Sequence, residues 1–185
     1  LGPPPVRLHR ALKTVEDRYD IVVMDTPPSL GMLSLNAIAA ANLILMPIVP
    51  HMYDISSSVQ YFRILEQLCA LYEREINVQR LSILLTKVDA GTETLNNIAV
   101  INGAYGELLL SNRMGLTKEL QKSASDQVSI YEIDQPRGSR DTYNRAIMML
   151  DGVNSEILLA VRQLWQQEIL SEIESVEAGR ARVPA

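Results

Sequence analysis

The stretch that most constrains the fold of this chain is Tyr19-Asp20-Ile21-Val22-Val23-Met24-Asp25-Thr26-Pro27-Pro28-Ser29-Leu30-Gly31. An apolar run, Ile21 to Met24, ends at an acid, and two prolines and a glycine follow closely. A short apolar run bounded in this way predicts a strand buried on both faces, as in the middle of a parallel sheet. Pro27 and Pro28 cannot continue it, because neither has an N–H to give to the ladder. Asp25 is thereby expected at the carboxyl end of the strand, where open α/β sheets hold their ligands. Gly31 is expected to take a positive φ or to let a ligand approach the backbone closely. An acid so placed suits a magnesium ion that keeps much of its shell as water, and the loop after it suits a sensor of a terminal phosphate.

The rest of the chain repeats the alternation. Leu1 to Pro5 is a Gly/Pro-rich lead-in that cannot be helical, and Val6 to Arg18 carries Val6, Leu8, Ala11, Leu12 and Val15 on one helical face. Met32 to Ala41, rich in Leu, Ala and Met, predicts a helix. Leu43 to Ile48 predicts a second buried strand, closed by Pro47 and Pro50, so that strand, helix and strand form a right-handed βαβ unit. Asp54 to Ser58 offers caps for a long helix reaching about Glu75, with a stripe of Val59, Phe62, Leu65, Leu68, Cys69 and Tyr72. Cys69 lies on that stripe and is expected to pack rather than react. Leu81 to Thr86 predicts a third buried strand, ending in Lys87-Val88-Asp89, and a helix runs from Thr92 or Glu93 to about Tyr105.

Glu107 to Leu110 is expected as a short fourth strand, and Ser111 to Pro136 as mostly irregular. A long helical region from about Arg140 to Glu177, broken at Asp151-Gly152, closes the chain, with a frayed tail from Ala178. The expected class is α/β, a mainly parallel sheet with flanking helices, in a single domain over residues 1–185.

Composition narrows the function classes. The formal net charge of −5 announces no global attraction to nucleic acid, so any such binding needs a local patch. One cysteine and two histidines, Cys69, His9 and His51, leave no disulfide framework and no His/Cys metal cluster. A reducing, cytoplasmic compartment is the default, and no apolar run approaches the ~20 residues of a membrane span. The first residue is Leu rather than Met, which reads as a fragment, a truncated frame or a processed product.

The string D-T-P-P-S-L-G, Asp25 to Gly31, followed by Met32-Leu33-Ser34-Leu35-Asn36-Ala37, resembles the Walker B and switch II segment of the ParA-type partition ATPases, which are deviant P-loop (SIMIBI-like) NTPases. Leu84-Leu85-Thr86-Lys87-Val88-Asp89 is similar to the family's L-L-T-x-x-D strand end, and Tyr131-Glu132-Ile133-Asp134 to its L-E-Y-D-like segment. Arg140-Asp141-Thr142-Tyr143-Asn144-Arg145-Ala146 and Leu150 to Ile157 most resemble the RepA-like proteins of large plasmids. The resemblance runs over most of Tyr19 to Trp165 and implies the C-terminal half or so of a family member, truncated at the N-terminus.

The resemblance implies ATP and Mg²⁺ as cofactors, with Asp25 acting on the metal through water. The loop of Thr26, Pro27, Pro28 and Gly31 would then sense the γ-phosphate and help position water. It also implies Thr86 and Lys87 near the nucleotide base, although Lys87 reads equally as a solvated charge at a strand end. An intact protein of this kind would form a homodimer on nonspecific DNA, associate with the nucleoid, and answer to a ParB/RepB-like centromere-binding partner.

There are departures. The G-x-x-x-x-G-K-[ST] string, whose backbone N–H groups cradle phosphates, occurs nowhere in these residues, and no glycine precedes a lysine. The family's acidic switch I segment is also absent. The chain alone is therefore expected not to hydrolyse ATP, and a non-catalytic DNA-binding or dimerisation module is the alternative reading. The DNA-binding candidates are Arg113, Lys118, Lys122, Arg137, Arg140 and Arg145, interleaved with acids that make a mixed-charge surface the competing reading. The family's V-I-P-R-N-V-R-like loop is replaced by Leu110 to Lys118.

The last helix, with Ile157, Leu158, Val161, Leu164, Trp165, Ile169 and Leu170, is expected to pack on the domain or to meet a partner. Its end, Glu168 to Glu177, is too acidic for the membrane helix of MinD-like relatives, so no membrane is expected.

Overall fold

A computed structural model describes residues 7–27, 29, 31–72, 81–134 and 138–180. The helices are α1 (Arg7–Lys13), α2 (Met32–Ala40), α3 (Met52–Leu71), α4 (Thr92–Tyr105), α5 (Lys118–Ser125) and α6 (Arg140–Arg180). Two strands, β1 (Ile44–Ile48) and β2 (Leu81–Leu85), pair in parallel with Ile44 opposite Leu81 and Ile48 opposite Leu85. The class is the expected α/β with a parallel sheet and flanking helices.

The apolar pattern explains the sheet. Ile83 and Leu85 are buried to the last few per cent, and Ile38 from α2, Ile55 and Leu65 from α3, and Ile98 and Ile101 from α4 close around them. Thr86 N–H donates to Ile48 O (2.9 Å), so Ile48, Met46 and Ile44 turn their backbone groups towards β2. Pro47 therefore places its missing N–H on the opposite edge, which pairs with no other strand among the described residues. β1 is not buried on both faces as expected: its burial alternates, and Leu45 and Pro47 lie on the open side.

Beyond β2 the chain comes back alongside it. Residues 106–108 form a 3₁₀ turn, not a strand, and the expected pairing shifts to Leu109, which bridges Ile83 in parallel. Leu110 N–H donates to Ile83 O (2.9 Å), the chain loops out at 111–113, and Met114 N–H rejoins at Leu85 O (2.8 Å). Val88 N–H to Met114 O (3.0 Å) and Leu116 N–H to Val88 O (2.9 Å) continue the contact.

Two further expectations are corrected. Residues 21–27 carry no regular structure and are largely exposed, with Val23 at 89%. A strand is buried by its neighbours, and this run makes no ladder with β1 or β2. Residues 111–134 are mostly irregular, as expected, outside two short helical pieces, of which α5 is capped by Thr117 Oγ1 accepting from Glu119 N–H (3.2 Å). Helix α6 does not break at Asp151-Gly152: it continues through them, and Asp151 Oδ1 accepts from Tyr131 Oη (2.9 Å).

Helix α6 packs through Ala146 and Val153, but its stripe then opens: Leu158, Leu159, Trp165, Ile169 and Leu170 are exposed. The tail from Ala178 is helical to Arg180, and residues 181–185, like 1–6, lie outside the described residues. No helix among the described residues is long and apolar enough to cross a membrane. Cys69 packs against the core as expected, and burial, reinforced by Glu66, pushes its thiol up, away from the thiolate.

Candidate functional site

The carboxyl ends of β1 and β2 gather the elements that a ligand site on such a sheet uses. After β1, the carbonyl of Pro50 accepts from Asn97 Nδ2 (3.0 Å) in a buried contact that ties α4 to the strand end. After β2, Thr86 is bonded back to Ile48, and Lys87 takes the left-handed conformation with φ 52°. That conformation is sterically costly for a residue with a Cβ. It is fixed from both sides, because Met114 bonds to Leu85 and Val88 bonds to Met114.

Asp89 closes the turn, accepting from Gly91 N–H (2.8 Å) and Thr94 Oγ1 (2.7 Å). The Thr94 hydroxyl, followed by the Gly91 N–H, holds the Asp89 carboxyl below the usual carboxylate range. This places Asp89 as a turn-former at the start of α4.

The loop at 111–113 stands at the same end. The carboxylate of Glu156, on α6, accepts from Ser111 N–H (2.6 Å), Asn112 N–H (2.8 Å) and Asn112 Nδ2 (2.8 Å). Burial alone would raise this carboxyl, but the N–H groups of Asn112 and Ser111 outweigh it and hold it below the ordinary value. Thr86, Lys87 and Arg113 are thus brought to one end of the sheet.

The segment of Asp25, Thr26 and Pro27 is exposed and extended, and Pro28 lies outside the described residues. Asp25 does not sit at a strand end, for the reason given above. Gly31 caps α2 with φ −95°, so it does not use the left-handed region, and the space where its Cβ would stand is open. What holds this loop is Ser34, buried in the first turn of α2, whose hydroxyl donates to the carbonyls of Pro27 (3.3 Å) and Ser29 (2.5 Å). Ser34 belongs to the motif string, yet its role as a tether had no local signal, since a serine at the start of a helix reads as a cap.

Among the described residues no group of three or more His, Cys, Asp or Glu is gathered for a metal. A single carboxylate with water is the donor set that magnesium accepts from a protein when phosphate supplies the rest. Asp25 and the Thr26 hydroxyl fit that donor chemistry.

The basic candidates divide into two groups. Lys118 and Lys122 lie on one face of α5, around a shallow hollow of about 270 Å³ lined also by Gln121, Ser125 and Asp126. Lys122 Nζ pairs with the buried Glu119 at 2.8 Å and reaches Gly138, where a Cβ would stand 3.0 Å from it. That contact brings the approach to Arg140 beside α5. Arg145 Nε donates to Asp141 O (3.2 Å) within α6, and Arg137 lies outside the described residues. Arg113 follows the turn that packs on Gly152, a point about 18 Å along α6 from Arg140 at the 1.5 Å rise per residue.

Comparison with known proteins agrees with this architecture. A family model described as an AAA domain matches residues 3–78. The chain is similar to a "Putative replication protein A" of Sinorhizobium fredii, 30% identical over 169 residues, covering 89% of this chain and 42% of the relative. It is also similar to "Protein SopA" of Escherichia coli, 29% identical over 158 residues, covering 83% of this chain and 40% of the relative. A solved "Partition Protein" superposes with a TM-score of 0.53 at 20% identity, over 68% of this chain and 41% of that one. The last likeness is one of fold. The chain spans about two fifths of the length of these relatives.

Proposed function

The chain is a relative of the ParA-type partition ATPases, and from that premise we propose that it is part of an ATPase that partitions a plasmid or chromosome. The observation that carries the reading is the similarity to a replication protein A along 89% of the chain, on a parallel α/β frame.

In the intact protein, ATP with Mg²⁺ would supply the phosphoryl chemistry. This chain's share is to hold water and the base. The Asp25 carboxylate would hold the metal through water. The loop from Thr26 to Gly31, tethered by the Ser34 hydroxyl at Pro27 and Ser29, follows the terminal phosphate. Thr86 and Lys87, at the strand end, would contact the base. The nucleotide-bound homodimer lies on nonspecific DNA in the cytoplasm, with Lys118, Lys122, Arg140, Arg145 and Arg113 as phosphate contacts, and a ParB/RepB-like partner releases it.

The deciding experiment is ATP turnover by the intact protein with Asp25→Ala. Turnover is expected to fall about a hundredfold or more, the usual scale for losing a group aimed at transition-state charge. Folding is expected to be unaffected, because Asp25 is exposed. Unchanged hydrolysis would remove Asp25 from the site. For the 185 residues alone no turnover is expected, and saturable hydrolysis abolished by Asp25→Ala would overturn that expectation.

A further inference from the structure

Glu156 makes more contacts than a surface glutamate on a long helix ordinarily has. Both its oxygens are engaged, Oε1 by Ser111 N–H and Oε2 by the backbone and side-chain donors of Asn112. The same turn is pressed against α6 at a second point, where Asn112 Oδ1 occupies the space that a Cβ on Gly152 would need, 2.8 Å away. A glycine inside a helix costs about 1 kcal/mol relative to alanine, so this close approach is a reason for finding one at 152. The residue immediately after the clamped pair is Arg113.

Arg113 is exposed and pairs with no carboxylate among the described residues, whereas Lys122 is bound to Glu119 and Arg145 to its own helix. We propose that Glu156 is a positioning residue for DNA binding: with Asn112 and Gly152 it fixes the loop at 111–113 so that Arg113 is held ready for a phosphate. The inference rests on the DNA-binding reading above. A loop free to move would lose ordering entropy when Arg113 met its phosphate, and the clamp removes that loss beforehand.

The sign of one substitution separates positioning from plain electrostatics. Glu156→Gln removes a negative charge beside a phosphate-binding surface, which by charge alone strengthens binding to a polyanion. It also leaves one acceptor oxygen where two were engaged, and sets an NH₂ group against an N–H donor, so the clamp opens. Positioning therefore predicts weaker binding in spite of the favourable change in charge.

The experiment is binding of a random-sequence DNA duplex by the intact protein with ATP and Mg²⁺, titrated from low salt upward, for wild type, Glu156→Gln, Arg113→Ala and the double variant. Glu156→Gln is expected to weaken binding several-fold and to flatten the log–log salt dependence by about one unit, as losing one phosphate contact does. The double variant is expected to bind as Arg113→Ala does, because both substitutions remove the same contact.

Lys118→Ala combined with Glu156→Gln is expected to be additive. Equal or tighter binding by Glu156→Gln, or an additive Arg113 pair, overturns the proposal. No binding by wild type at low salt overturns the DNA-binding reading itself, a result distinct from wild type that binds but ignores Glu156. Asn112→Ala, which opens the clamp without a change of charge, is expected to reproduce the loss, and an unaltered salt dependence in a folded Asn112→Ala chain also counts against the proposal.

Discussion

Asn112 Oδ1 stands 2.8 Å from the position of a Cβ on Gly152, and Asn112 is kept there by two hydrogen bonds to Glu156. The relationship predicts non-additive stability. In an Asn112→Ala background, Gly152→Ala is expected to stabilise the chain by about 0.5–1 kcal/mol, the helix-propensity gain. In the wild-type background the gain is expected to vanish or reverse, since Asn112 has to leave its place. Urea unfolding midpoints of the four proteins measure this, and an equal gain in both backgrounds would contradict the packing.

The Glu156 clamp is also expected to respond to acid. Its hydrogen bonds hold the folded carboxyl below the ordinary glutamate value. A depressed pKa gives a contribution that is present above the unfolded pKa and lost as pH falls through the folded one. Protection of the Ser111 and Asn112 amides against hydrogen exchange should thus persist through neutral pH and fail below the ordinary glutamate range. The Leu110 amide, bonded to Ile83 O, is the internal reference. Loss of protection on the alkaline side would contradict the assignment.

Most of the frame was legible because burial leaves a period in the sequence. The 44–48 and 81–85 strands and the helices α2, α3 and α4 were expected close to where they stand, each carrying an apolar run or a three-and-four stripe. Helix α5 had no such stripe: its buried residues are Glu119 and Ser123, so its inner face is polar, and the Thr117 cap was the remaining signal. The run Ile21 to Met24 shows the opposite failure. Its composition is that of a central strand, but composition cannot supply the neighbours that bury one. The Glu156 clamp joins residues more than forty positions apart, and no local pattern announces it.

That contrast is measurable. Ile83 is fully buried at the centre of β2, and Ile83→Ala is expected to cost about 2–5 kcal/mol as the core fails to close over the gap. Val23 reads as an equally apolar strand residue but is 89% exposed, and Val23→Ala is expected to stay within about 0.5 kcal/mol. A cost at Val23 comparable to that at Ile83 would restore the buried strand.

Helix α5 ends in a turn that asks for glycine and has glutamine. Val128 N–H donates to Ser123 O (3.1 Å) and Gln127 N–H to Ala124 O (3.2 Å), the paired bonds of a Schellman motif, with Gln127 at φ 55°. The left-handed conformation costs a residue with a Cβ about 1–2 kcal/mol, part of which glycine returns as backbone entropy in the unfolded chain. Gln127→Gly is expected to raise stability by about 0.5–1 kcal/mol, read as a higher urea midpoint at unchanged slope. A fall in the midpoint would mean that the Gln127 side chain makes a contact worth more than the strain.

The outer half of α6 gives the last prediction. Trp165 is 39% exposed on the stripe that includes Leu158 and Ile169, both more exposed still. An indole so placed keeps one edge in water. In dilute solution its emission is expected to lie well to the red of a buried tryptophan and to be quenched readily by acrylamide. Because Trp165 is the sole tryptophan of the chain, the signal reports on this helix alone. If copies of the chain associate through this stripe, emission should move to the blue as concentration rises, and Trp165→Ala should abolish both the shift and the association. Emission that is blue and unquenched even at the lowest concentration would contradict the exposure and place the outer half of α6 against the rest of the chain.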